Sequence, residues 1–202
     1  MKKEIRSLAV EFRATKEEDG PMIIRGMPIV YNRDSEDLGF IERIAVGAAK
    51  DAIDKSDIRL LYGHNSDTLL PLARSTSGTL RSVETKDGVE MEAELPNTQF
   101  AQDIYESVSR GDISAMSFAF TVEDDEWQTR DGQEIRTVTK IAELFDYSLV
   151  TYPAYRDTTV ALRSLEEYKT SVVAREVGTA VSVSRKRDLD IRIKQNNRRS
   201  LI

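Results

Sequence analysis

The sequence contains no cysteine, which excludes disulfide bridges, thiolate metal sites and a cysteine nucleophile. It contains one histidine, so a zinc site built from several imidazoles is excluded and a single ring is left to serve as a general base. No apolar run approaches the roughly 20 residues that a bilayer crossing requires. The charges in the opening stretch MKKEIRSLAVEFRA interrupt any signal-peptide core, and the expectation is a soluble chain working in the cytoplasm without a membrane partner. Positive charge is in deficit, 29 Lys and Arg against 35 Asp and Glu, which argues against a chain-wide field for nucleic acid. Internal repeats and low-complexity tracts are also lacking.

What is present is a chain long enough for one domain with a substantial core plus a tail. Alternating apolar residues predict a strand over Ile5–Ala14, followed by a turn over Glu17–Pro21. Met22–Tyr31, broken by Gly26 and Pro28, reads as an interrupted or edge strand with a bulge-like kink. Within FIERIAVGAAKDAIDKS the spacing of Ala45, Ala48, Ala49 and Ile53 predicts a short helix. Strands are expected over Ile58–Tyr62, Leu69–Ala73, Gly78–Glu84 and Val89–Leu95, the last two joined by a hairpin at Lys86-Asp87-Gly88. Asn97-Thr98 caps a helix over Gln99–Ser109 with Phe100, Ile104, Tyr105 and Val108 on one stripe, and Gly111 stops it. A strand through Ser117 follows, then a polar loop or hairpin tip over Trp127–Gln133 and strands over Ile135–Ala142 and Leu144–Thr151. Leu165–Val177 has helical character, and Ser184–Arg199 is dense in Lys, Arg and Asn with few apolar anchors. The inventory predicts an α+β chain, mostly β, whose antiparallel sheet is closed or nearly closed into a barrel with a few helices outside. The domain division is 1–163 for the barrel and 164–202 for a loosely attached, charged tail.

Three polar residues interrupt apolar surroundings. Ser117 lies in the run ISAMSFAF, where a hydroxyl either bonds a neighbouring carbonyl or is kept for reactivity. His64 follows Gly63 at a strand end; it is either a satisfied turn residue or the base that a serine needs for attack. Asp146 breaks the strand LFDYSLV, where an unpaired carboxylate is costly, so it invites either a basic side chain or the imidazole. By alternation Asp146 shares a face with Leu144, Ser148 and Val150. Ser114 points away from the Ser117 face, and Ser75 and Ser77 read as turn residues. Glu123-Asp124-Asp125-Glu126 lacks the spacing of a calcium loop and reads as a solvated face, so neither a metal nor a cofactor is expected. Arg185-Lys186-Arg187 and Arg198-Arg199, without interleaved aromatics, carry no specific nucleic-acid signal.

Taken in order, GMPIVYN, DLGFIERIAVGA, GHN, PLARSTSGTL, GVEMEAELPNT, RGDISAMSFAF and LFDYSLVTYPAY make the stretch Met22–Arg163 resemble the prohead (capsid maturation) proteases of tailed bacteriophages. These are related in fold to the herpesvirus assemblin proteases. The resemblance implies a herpesvirus-protease-like fold and a serine endopeptidase held inside the immature capsid in the host cytoplasm. Its implied partners are the scaffold, or the scaffolding segment of the major capsid protein precursor, and the chain itself through autocleavage. Oligomers are possible. By position the family's serine falls on Ser117 and its histidine on His64. The herpesvirus branch uses a second histidine, which this chain lacks, so an acid takes that place; phage members usually show glutamate where Asp146 stands. Phe118-Ala119 also departs from the smaller residue and glycine common in the family. The competing class is a non-catalytic capsid assembly or scaffold-associated factor, in which the three residues serve only packing.

Overall fold

The computed structural model of the chain describes residues 2–9, 12–16, 20–152 and 163–172. In chain order the elements are β1 (Glu4–Ala9), β2 (Arg13–Thr15), β3 (Met22–Val30), β4 (Ile41–Ile44), α1 (Lys50–Lys55), β5 (Arg59–Tyr62), β6 (Ala73–Arg74), β7 (Leu80–Glu84), β8 (Gly88–Leu95), α2 (Gln99–Ser109), β9 (Ala115–Arg130) and β10 (Gln133–Val150). They belong to one compact unit, Met1–Ala161. Of the second unit, Leu162–Ile202, the described part is a helix over 163–172. The charged stretch 184–199 lies outside the described residues, as do 17–19 of the expected turn.

The strands form two sheets: a 6-stranded sheet in the order β1-β9-β10-β5-β6, with β4 also paired to β10, and a 4-stranded sheet β2-β3-β8-β7. The long strand β10 is the spine of the larger sheet. It runs antiparallel to β9 along its whole length and takes β4 in parallel at Ile135–Val138 and β5 in parallel at Asp146–Leu149. The first seven residues of β9 are buried on both faces, which is why that stretch reads as a continuous apolar run rather than an alternation. Gly26 lets the smaller sheet come close: an added Cβ there would lie 3.1 Å from Met116 Sδ. The core between them holds Ile24, Ile29, Leu60, Met91, Met116, Phe120, Tyr147 and Leu149. Helix α2 is capped by Thr98, whose hydroxyl accepts from the Ala101 amide at 3.3 Å, and it buries Ala101, Ile104 and Val108.

Several expectations change. The described strands form two sheets and no closed barrel is found among them, and β4 and β5 run parallel to β10, so the larger sheet is mixed rather than antiparallel. β3 lies inside its sheet rather than at an edge, although the kink is real: its pairing slips between Gly26 and Ile29, around Pro28. The helix expected before residue 56 is confined to Lys50–Lys55, because Gly47 with φ of 85° ends any earlier turn; Ile41–Ile44 instead pairs with β10. Leu69–Ala73 contributes only Ala73 to a strand, Pro71 offering no amide to a ladder. Of the two readings of Trp127–Gln133, the hairpin tip is the one found, and it is tighter than that span. β9 continues to Arg130 and turns at Asp131-Gly132, whose φ values of 54° and 80° suit a tight hairpin. The two strands expected after it are one, β10, with register shifts between Val138 and Asp146 absorbing the irregular pattern.

A second feature of the fold is a buried ionic cluster under β1. Arg6 donates from Nε to Glu42 Oε1 at 2.6 Å and from Nη2 to Glu4 Oε2 at 2.5 Å. Arg136 donates to Glu4 Oε2 at 2.8 Å, Glu4 Oε1 at 3.0 Å, Glu42 Oε2 at 3.0 Å and Asp125 Oδ2 at 2.6 Å. The cluster ties β1 to β4, β9 and β10. Burial alone would raise the Glu4 pKa, but the hydrogen bond and charge of Arg136 and the charge of Arg6 hold it below the usual carboxylate value.

Candidate active site

Ser117, His64 and Asp146 come from β9, the turn after β5, and β10. β5 lies parallel beside β10, with Tyr62 opposite Leu149, so the turn that follows β5 emerges next to the end of β10. Gly63 and His64 both have positive φ, 62° and 57°. A left-handed conformation is unusual for a residue with a side chain and is held by its surroundings. Here the His64 amide donates to Ser148 Oγ at 3.0 Å and the Gly63 amide to the Leu149 carbonyl at 3.0 Å, which pin the turn back onto β10. The turn carries the imidazole over the strand pair.

The ring bridges the other two residues. Nδ1 lies 2.5 Å from Asp146 Oδ1, and Nε2 lies 2.6 Å from Ser117 Oγ. Asp146 and Ser117 are buried, whereas the His64 side chain keeps 16% of its surface in solvent. Burial would raise the Asp146 pKa; the His64 hydrogen bond and charge, then the Lys3 charge and the Ser148 hydrogen bond, outweigh it and hold the carboxyl below its ordinary value. An ionised carboxylate only accepts, so Nδ1 is the protonated nitrogen and, in the neutral ring, the Nε2 lone pair faces Ser117. Ser148 donates to Asp146 Oδ1 at 3.0 Å and Lys3 Nζ lies 3.3 Å from Oδ2, so both carboxylate oxygens are held.

The single proton of Ser117 Oγ has two acceptors, His64 Nε2 and the Arg6 carbonyl at 2.9 Å on β1. The serine thus bonds a neighbouring carbonyl and also faces the imidazole. Asp146 likewise meets both the ring and a lysine. The hydroxyl has no exposed surface.

Sequence reasoning placed these three residues but missed Ser148 and the contributions of β1. For Ser148 a signal existed, because the alternation in FDYSLV puts it on the Asp146 face. Lys3 and Arg6 carried none; they reach the site only through the pairing of β1 with β9. The acidic run at Glu123 is used across the hairpin: Glu123 lies 2.9 Å from Lys140, Asp124 accepts from Thr139 at 3.2 Å and Asp125 accepts from Arg136. Among the described residues no group of three or more His, Asp or Glu side chains converges as a metal site would need, and no helix is long and apolar enough to cross a membrane.

The solved structure of the bacteriophage T4 capsid assembly protease, gp21, aligns with a TM-score of 0.37 and 12% identity, covering 70% of this chain and 98% of that one. No curated protein matches the chain. The model of one family, described as caudovirus prohead serine protease, matches residues 9–171, and the chain belongs to that family.

Proposed function

We propose that the chain is the serine endopeptidase of prohead maturation, with Ser117 as nucleophile, His64 as general base and acid, and Asp146 as the residue that orients the ring. The observation that carries this is the continuous hydrogen-bonded path from Ser117 Oγ through both ring nitrogens of His64 to Asp146 Oδ1, at 2.6 and 2.5 Å. Ser117 Oγ attacks the scissile carbonyl carbon while its proton passes to Nε2. The imidazolium is stabilised by the carboxylate on Nδ1, and Nε2–H then protonates the departing amine as the C–N bond breaks. A water then bonds the acyl carbon as its proton passes to Nε2, and when the Oγ–carbon bond breaks Nε2–H returns that proton to Ser117 Oγ. The Arg6 carbonyl competes for the serine proton at rest, and transfer to His64 breaks that contact. Because Ser117 is fully covered, a substrate gains access only when part of its cover shifts.

The substrates on this reading are the scaffold or the scaffolding segment of the major capsid protein precursor, and the chain itself, inside the prohead in the host cytoplasm. Residues 1–163 are the protease domain, and the tail 164–202 holds the enzyme to scaffold or shell. The burial of Ser117 favours the competing reading, a non-catalytic assembly factor, and one experiment separates them. Full chain co-expressed with the capsid precursor of the same phage should yield new precursor fragments on a gel, and Ser117→Ala should fold and yield none. Processing by Ser117→Ala at the wild-type rate would remove the assignment.

A further inference from the structure

Across β10, β9 and β1 three serines stand in one row. Ser148 is opposite Ser117 in the β10–β9 ladder, and Ser7 is opposite Ser117 in the β1–β9 ladder. Directly opposed residues of an antiparallel pair project to the same face with Cβ atoms about 4.5–5.5 Å apart. Two of the three hydroxyls are engaged: Ser148 with Asp146 and the His64 amide, Ser117 with His64 and Arg6. The third is not. Ser7 Oγ is buried without a hydrogen-bond partner, the one such side-chain atom among the described residues.

A buried hydroxyl left unpaired lowers stability, and alanine at the same place would avoid the penalty. Its position gives it a use. His64 approaches Ser117 from the β10 flank, bonded to Ser148 and Asp146 of that strand. Ser7 sits on the other flank. When Ser117 Oγ bonds to a carbonyl carbon, the oxygen that becomes negative lies ~2.4 Å from Oγ, and a stabilising donor must sit 2.7–3.1 Å from it. Such a donor falls roughly 3–5 Å from Ser117 Oγ, the range a directly opposed serine reaches.

We propose that Ser7 is a further catalytic residue, an oxyanion donor supplied by β1; this rests on the serine peptidase reading above. Its hydroxyl hydrogen turns to the carbonyl oxygen as that oxygen gains charge, and returns to the unpaired state when the tetrahedral intermediate collapses. No proton is transferred, so Ser7 changes the rate and not the products. The buried cluster holds β1 in place beside β9. Ser7 follows Arg6, whose side chain projects to the opposite face and is clamped by Glu4 and Glu42, while Arg136 holds the same two carboxylates. The donor is thus fixed beforehand rather than recruited from solvent.

The test uses the full chain, p-nitrophenyl acetate as acylating probe, and thermal unfolding. Ser7→Ala should lower the acylation rate constant by about 10²–10³-fold, the usual effect of deleting one oxyanion donor, with Tm unchanged or raised because an unpaired hydroxyl has gone. Ser7→Thr, which keeps a hydroxyl, should recover most of the rate. Acylation by Ser7→Ala within threefold of wild type would overturn the proposal, and so would a rate loss accompanied by a lowered Tm that threonine fails to correct. Ser117→Ala separates the two levels. Reaction undiminished in Ser117→Ala, or a wild type that does not react, would overturn the peptidase reading and this one with it, whereas a silent Ser117→Ala beside an active Ser7→Ala would overturn this one alone.

Discussion

Replacing Arg136 with methionine would test whether the ionic cluster under β1 is a structural clamp. The guanidinium is buried and makes four hydrogen bonds to Glu4, Glu42 and Asp125. Methionine keeps most of the volume and removes the charge, leaving Arg6 alone to balance two buried glutamates. Breaking a buried charge network from one side costs about 3–5 kcal/mol. With a urea slope of roughly 2 kcal/mol/M, that is a midpoint lowered by about 2 M. At about 2–4 °C per kcal/mol for a domain of this size, Tm falls by roughly 6–20 °C. Urea unfolding followed by far-UV circular dichroism measures it, and pH sharpens the result. In the wild type the lowered Glu4 pKa contributes stability that is complete above the unfolded value of about 4.3 and is lost as pH falls through the folded one. In Arg136→Met burial dominates and raises the Glu4 pKa, so the stability gap between the two proteins should narrow as pH drops from 7 towards 4. A loss below about 1 kcal/mol at pH 7, or a gap that widens on acidification, would refute the clamp.

Other expectations follow from the same geometry. Asp146→Asn removes the ionised acceptor that fixes Nδ1–H, so kcat for precursor cleavage should fall by about 10⁴-fold with the fold intact; a loss under tenfold would show that the carboxylate does not set the tautomer. The lowered Asp146 pKa contributes stability present above about 3.9 and lost as pH falls through the folded value. Urea midpoints of wild type and Asp146→Asn should therefore differ most near pH 7 and draw together as pH falls below about 3.9. At Gly88 an added Cβ would sit 2.0 Å from the Ile29 carbonyl oxygen. Gly88→Ala should then cost at least about 1–3 kcal/mol in the same urea assay, and an unchanged midpoint would contradict that close approach.

Much of the site was legible because each residue broke a local rule. A serine inside ISAMSFAF, a carboxylate inside LFDYSLV and a histidine after glycine at a strand end are all expensive unless partnered, and they partner one another. The helix over Gln99–Ser109 was legible from its cap, its stripe and its terminal glycine. What failed was long-range. Nothing local in MKKEIRSLA reveals that Glu4 and Arg6 balance Glu42 and Arg136, since sequence neighbours do not specify a strand's edge partner. The charges Glu123–Glu126 on β9 read as a solvated face because ion pairs across a hairpin look polar one strand at a time. Strand direction was illegible too: β4 and β5 are only four residues each, and their parallel partner β10 lies far along the chain.

On the proposed reading, His64 activates Ser117. Treating the chain with a fluorophosphonate and mapping the adduct by peptide mass spectrometry tests it directly. A single adduct on Ser117 is expected in the wild type, and an adduct slowed by several orders of magnitude in His64→Ala. An adduct on another residue, or labelling of Ser117 at the same rate without the imidazole, would contradict it.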